Sequence, residues 1–193
     1  MHRPGYEKGS MKFIEQKLPG VFLIQPTPFE DERGIFRRHF CAAEFAEHGI
    51  AHDVKQANVS ENRNAFTLRG FHFQLAPHGE GKTLSCLKGA IYDVVVDLRE
   101  HSPTYLKWIA VELDDVNRQS IHVAPGCANA FLTLKDDSII QYYCSESYAP
   151  AHERGVRFDD PLFSFKWPRK PAFISDKDLN HPDFKAAKQQ HHS

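Results

Sequence analysis

Between residues 84 and 148 the chain repeats one pattern, a short β-branched or aromatic run followed by a turn, with no long helical period in between. The run "AIYDVVVDLR" shows it most clearly. Alternate side chains of a strand leave from opposite faces, so Tyr92, Val94, Val96 and Leu98 share one face, and Ile91, Asp93, Val95 and Asp97 the other. "HSPTY" turns the chain, "LKWIAVEL" alternates again, "DDVNRQ" turns, "SIHVA" runs, "PGCAN" turns, "AFLTL" runs, "KDDS" turns and "IIQYYCSESY" runs. Strands of similar length at near-regular spacing predict an all-β antiparallel sandwich or barrel, because a parallel α/β sheet needs helices between its strands. One short helix is expected at "AAEFAEHG", where Gly49 supplies the stop.

A chain of 193 residues suits one domain that closes an apolar core without disulfides or a structural metal. Its formal charge is -1 with the two signs mixed along the chain, which excludes a broad basic face for nucleic acid or an anionic membrane. An anionic ligand must then be met by a few placed arginines and lysines. Cys41, Cys86, Cys127 and Cys144 are far apart with no C-x-x-C pair, so reduced thiols and a cytoplasmic location are expected. The opening residues contain no apolar signal segment, and no stretch is long enough to cross a bilayer. From Pro168 the tail is polar and proline-bearing, with an apolar anchor at "FISDKD" and last residues expected to be mobile.

The chemistry centres on "LRGFHFQ", residues 68 to 74. A metal-binding barrel of the cupin kind uses a His-x-His pair, and here His72 is followed by Phe73 and Gln74, one imidazole where two are wanted. Three or four converging ligands are needed for a catalytic metal, so none is expected. A histidine alone in an apolar run is commonly a hydrogen-bonded core residue; its neighbours point instead to a base. Arg69 lies at an odd offset from His72 and would leave a regular strand from the opposite face, unless a bulge or turn at Gly70 changes the phase. Lys82, in "GEGKTL", opens the next strand and reaches the same cavity, unless it is a solvated loop charge. Tyr142, in "IIQYYC", has a second tyrosine on the opposite face and is a proton donor or a barrel-lining aromatic. A base, an ammonium and a phenol around one cavity suit proton transfer beside a carbonyl: the histidine removes a proton, the lysine steadies the enolate and the tyrosine returns a proton.

"FEDERGIF", "QANVS", "LRGFHFQ", "GKTL", "IYDVVVDLREHSPTYLKW", "PGCANAF", "YAPAHERGVRFDDP", "KWP" and "ISDKD" are highly specific when taken together. From Met11 to about Asp178 the chain resembles the dTDP-4-dehydrorhamnose 3,5-epimerases and their sugar-nucleotide epimerase relatives. The resemblance implies a jelly-roll, cupin-type barrel with a few short helices, a homodimer, and a reaction free of metal and cofactor. It also implies a dTDP-linked 4-keto-6-deoxyhexose as substrate, serving deoxysugar or surface-polysaccharide synthesis. Residues 1–10 then read as an extension, 11–185 as the single domain and 186–193 as a flexible tail.

By the same resemblance His72 is the general base, Tyr142 the general acid and Lys82 the enolate stabiliser. Asp178, or alternatively Asp160 in "DDP", is the carboxylate that orients the base. Arg33 and Arg69 fall on diphosphate or sugar contacts, where the planar guanidinium fork favours arginine. Gln56, Asn58, Glu153 and Lys177 fall on substrate-contacting positions. Two departures stand out: Asn129 occupies a position where relatives commonly carry histidine, and Arg38 one where they carry glutamate. Asparagine hydrogen-bonds but shuttles no proton near neutral pH. Inversion of carbon 3 alone, a 3,4-ketoisomerase, and a sugar-nucleotide-binding cupin without turnover are therefore the alternatives to inversion at carbons 3 and 5.

Overall fold

The stretch Ala90–Asp97 is a strand buried almost throughout, because two separate apolar layers press on it. Ile91 and Val95 enter one cluster, and Val94 and Val96 another, on the two faces that the alternation assigns them. The computed structural model describes residues 9–51 and 53–186. In chain order these form β1 (Met11–Glu15), β2 (Phe22–Pro26), β3 (Phe29–Asp31), β4 (Gly34–Phe36), α1 (Ala42–Glu47), β5 (Gln56–Asn62) and β6 (Leu68–Gln74). There follow β7 (Lys82–Lys88), β8 (Ala90–Asp97), β9 (Trp108–Asp114), β10 (Ser120–Val123), β11 (Cys127–Thr133), β12 (Ser138–Cys144), β13 (Glu153–Gly155) and α2 (Asp176–Leu179).

Two antiparallel sheets result. The first has the order β1-β2-β10-β7-β12-β5, the second β13-β6-β11-β8-β9, and β3 with β4 forms a separate hairpin. Apart from β1-β2 and β8-β9, neighbours in each sheet are not consecutive in sequence, as in a jelly roll, and the expected all-β, cupin-type architecture is the observed one. The core between the sheets takes Leu84, Cys86, Ile121 and Ile140 from the first and Ile91, Val95, Leu113 and Phe131 from the second. Each such side chain contributes about 1.5–3 kcal/mol when fully buried.

The outer face of the second sheet, with Phe71, Ala128 and Ala130, is covered by Phe163, Phe165, Trp167 and Phe184. The stretch from Pro168 is thus more firmly placed than its composition predicts: Phe184 packs on Phe163 with ring centroids 5.6 Å apart. Residues 1–8 of the expected extension and 187–193 of the expected flexible tail lie outside the described residues. Helix α1 sits at "AAEFAEHG" as expected, and Gly49 follows its end with φ of +69°. Helix α2 was not foreseen; it is one turn, capped by the Ser175 side chain. Among the described residues no helix is long and apolar enough to cross a membrane.

Candidate active site

The two sheets part around a cavity of about 640 Å³ whose lining includes Arg69, His72, Lys82, Asn129, Tyr142, Lys177 and Asp178. An adjoining lobe of about 310 Å³ shares His72, Lys82 and Tyr142 and adds Gln56, Asn58 and Glu153. Both volumes fall in the range that small-ligand sites occupy. His72 stands on the second sheet, whereas Lys82 and Tyr142 stand on adjacent strands of the first. The imidazole therefore faces the ammonium and the phenol from the opposite wall.

Strand β6 reaches this arrangement through a register shift. Asn129 pairs with His72 and Phe131 with Arg69, so two residues of β11 span three of β6. The bulge falls at Gly70 and Phe71 and brings Arg69 and His72 into one cavity. Gly70 has φ of +113°, and a Cβ there would lie 2.5 Å from the Asn129 carbonyl oxygen and 2.7 Å from the Ala130 Cα. Only glycine fits. Arg69 donates through Nε to the Asn62 side-chain oxygen at 2.8 Å, which steadies its guanidinium at the cavity wall.

Asp178 arrives from the far end of the chain. Backbone bonds from Leu68 N to Phe173 O and from Ala172 N to Phe66 O, each 2.8 Å, dock this segment beside β6. Ser175 then accepts a hydrogen bond from Asp178 N at 3.1 Å, the usual role of serine before a helical turn. The cap presents the Asp178 carboxylate to His72 Nε2 at 2.7 Å, and Gly70 N donates to its other oxygen at 3.2 Å. Burial alone would raise the Asp178 pKa; the His72 hydrogen bond, the His72 charge and the Gly70 N–H outweigh it and hold the pKa below the ordinary value. With Nε2 engaged by a carboxylate, Nδ1 is the ring nitrogen left to accept a proton.

On the opposite wall, Lys82 Nζ is 3.3 Å from the Glu80 carboxylate and 6.0 Å from the Tyr142 ring centroid. Burial pushes the Tyr142 pKa up, and the nearby Lys82 and Arg69 charges only partly oppose it. The phenol therefore keeps its proton at neutral pH. Beneath Asn129 lies Asp93, fully buried, which accepts from Asn129 Nδ2 at 3.0 Å. Its other oxygen has no hydrogen-bond partner among the described residues. Burial raises the Asp93 pKa to about 8, despite the Asn129 hydrogen bond and the Lys82 charge, so it is largely a neutral acid near pH 7. The sequence carried one signal for it, a carboxylate between Ile91 and Val95 on the inward face of β8.

At the mouth, Lys177 Nζ and the Tyr148 hydroxyl both reach Glu153 Oε2 at 2.6 Å. Gln56 accepts from Tyr148 N at 2.8 Å, which ties the same loop to the lobe. Two expected contacts fall elsewhere. Arg33 lies in the β3–β4 hairpin, its side chain 82% exposed and paired with Asp31, and Arg38 pairs with Glu44 under β1. Neither lines the cavity or its lobe in the single chain: Arg33 sits in a hairpin that forms its own small sheet apart from the two large ones, and Arg38 is held by Glu44 of α1. Asp160, the alternative partner for His72, is instead a buried cap that accepts from Leu162 N at 2.9 Å and Phe184 N at 2.6 Å. Gln74, where a second metal-binding histidine would stand, spends its amide on His78 O, Ser147 O and Ala149 N. His181 was not singled out by any sequence signal; its Nε2 lies 3.9 Å from the Asp178 carboxylate.

The family model described as dTDP-4-dehydrorhamnose 3,5-epimerase matches residues 15–186. A protein of that name from Mycolicibacterium smegmatis is 42% identical over 175 residues, covering 90% of this chain and 86% of its own length. A Streptomyces niveus protein named dTDP-4-dehydrorhamnose 3-epimerase is 37% identical over 162 residues, with coverage of 83% and 78%. The crystal structure of the Bacillus anthracis dTDP-4-dehydrorhamnose 3,5-epimerase with TDP and PPi bound superposes with a TM-score of 0.87 at 36% identity. It covers 91% of this chain and all of the other. The family match and these similarities lead to one statement: the chain belongs to the dTDP-4-dehydrorhamnose 3,5-epimerase family.

Proposed function

We propose that the chain is a cofactor-free epimerase of a dTDP-linked 4-keto-6-deoxyhexose, acting at carbons 3 and 5 beside the ketone. The ketone at carbon 4 acidifies the hydrogens on both neighbours, so inversion needs a base, an enolate stabiliser and an acid. His72 Nδ1 takes the proton, and Asp178 holds the ring and stabilises the imidazolium that forms. Lys82 steadies the enolate oxygen, and Tyr142 returns a proton from the opposite side. The observation that carries this reading is the imidazole–carboxylate pair on one wall across from a protonated phenol and an ammonium on the other. A pure binder has no use for a proton acceptor facing a proton donor.

Arg69, Asn129 and Lys177 in the main cavity, and Gln56, Asn58 and Glu153 in the lobe, are the substrate contacts of this reading. Residues 11–185 are its single domain, and reduced cysteines agree with a cytoplasmic enzyme. The homodimer implied by the resemblance would let Arg33 and Arg38 of a second copy complete the cavity. Exposed Ile35 and Phe36 on the same hairpin support that contact.

Incubation with dTDP-4-keto-6-deoxyglucose in deuterated water tests the function. Deuterium should enter at carbons 3 and 5, read by NMR and mass spectrometry. Entry at one carbon only would mean a single epimerase, and a carbonyl moved to carbon 3 a ketoisomerase. His72→Ala should lower exchange by about 10²–10⁴-fold; wild-type exchange in that variant would refute the base.

A further inference from the structure

Among the described residues, His181 is an imidazole beside the reaction centre that the proposed reaction does not use. Its side chain is 14% exposed, and its Nε2 is buried without a hydrogen-bond partner among the described residues. The ring occupies the space that a Cβ on residue 155 would fill, which glycine leaves open, and Gly155 is the β13 residue paired with His72. Arg157 holds the backbone here by donating to His181 O at 3.3 Å and pairing with Asp183 at 2.8 Å. His72, Asp178 and His181 together offer two imidazole nitrogens and one carboxylate oxygen within 4.8 Å of one another.

We propose that these three residues bind one divalent cation of the zinc type, and that this cation switches the enzyme off. Two imidazoles and a carboxylate form a donor set that Zn²⁺ takes readily, with bonds of roughly 2.0–2.2 Å. Pairs of ligands on such an ion are separated by at most about 4 Å. The Asp178 oxygen already stands 2.7 Å from His72 Nε2 and 3.9 Å from His181 Nε2, so a small inward shift of His181 closes the site. Asp178 and His181 lie on one short segment and His72 on a sheet strand, which allows that shift without disturbing the barrel.

The inhibitory part rests on His72 Nδ1 being the base. A neutral imidazole carries one proton. When the cation takes the lone pair of Nε2, the proton held there moves to Nδ1, and the nitrogen that must accept from the sugar becomes a donor. No bond to the substrate is blocked, so the cation lowers kcat and leaves KM unchanged.

Chelator-treated protein titrated with ZnCl₂ by calorimetry should bind one ion per chain, and Co²⁺ should give the visible absorption of a protein-bound ion. His181→Ala and His181→Gln, the second preserving bulk against Gly155, should both exchange deuterium at the wild-type rate without metal. Both should weaken Zn²⁺ binding by more than the roughly 10–100-fold that loss of a mere supporting partner costs, and their exchange should resist Zn²⁺. Absence of saturable binding, or equal binding by wild type and a folded variant, overturns the site. Binding that spares exchange overturns the switch. Metal-free wild type that never exchanges deuterium counts against the proposed function alone, since calorimetry reads the site without turnover.

Discussion

One carboxyl group lines the cavity and a second lies beneath it, and the two are in opposite states. At the rim, Asp178 is 5% exposed in its side chain and receives His72 and the Gly70 N–H, and these hold it ionised against burial. In the layer below, Asp93 is sealed at 0% exposure and receives a single amide hydrogen, and burial drives its pKa to about 8. The difference shows that the number and charge of donors, rather than depth alone, sets the state of a carboxyl here. A third case makes the same point: Asp97 is also fully buried, yet the Arg99 fork, Ser102 and Thr104 outweigh burial and bring it to about 2. The rim carboxylate is thus equipped to stabilise a transient imidazolium, while the deeper one adds no charge near the enolate oxygen.

The largest test of this contrast is Asp178→Asn. An amide keeps the shape but loses the charge and can present the wrong hydrogen to the ring, so exchange should fall by about 10²–10⁴-fold with KM little changed. Wild-type kcat in this variant would remove the rim carboxylate from the mechanism. Next comes Gly70→Ala, which strikes the bulge that places both Arg69 and His72. The added Cβ meets the Asn129 carbonyl and Ala130 at a φ of +113°, and urea unfolding should show a loss of more than about 3 kcal/mol.

The two carboxyls also have opposite pH signatures. Between about 3.8 and about 8 folded Asp93 keeps a proton that the unfolded chain has released. The folded state then binds more protons, and stability falls as pH rises through that window, by up to about 1.4 kcal/mol per pH unit. Asp93→Asn should flatten this slope in unfolding curves taken between pH 5 and pH 7.5. Asp178, with a lowered pKa, works the other way: its contribution is present above the ordinary carboxylate range and is lost as pH falls through its folded value. The smallest effect is expected from Asn129→His. A cationic ring against Asp93 should lower that carboxyl's pKa by roughly 1–3 units, visible as an earlier loss of the protonated carboxyl band in infrared titration.

Much of the architecture was legible because strand alternation is a local property: the two faces read in residues 91 to 98 are the two faces observed. The positions of Lys82 at the start of β7 and of Tyr142 and Tyr143 on opposite faces of β12 follow from the same period of two. The motifs brought His72, Lys82, Tyr142 and Asp178 to notice as a set. What they did not carry was phase, since the offset of Arg69 from His72 was ambiguous until the bulge placed both in the cavity. Nor did they carry distance: Asp160 stood as the alternative to Asp178 as partner of His72, and the docking of residues 172 and 173 beside β6 is what brings Asp178 there. Arg33 and Arg38 matched substrate-contacting positions by motif, yet a hairpin outside both large sheets holds Arg33 off, and Glu44 holds Arg38.

The order of apolar and polar residues was enough by itself to dictate strands, turns and a two-layer β fold, because those follow from contacts between residues close along the chain. The tertiary structure alone decided which carboxylate meets His72, that Asp93 stays protonated and that His181 lies beside the His72–Asp178 pair. His72 and Asp178 are 106 residues apart and Asp93 and Asn129 are 36 apart; charge state and convergence depend on such separated groups becoming neighbours in a low-dielectric interior, and no local pattern encodes that meeting.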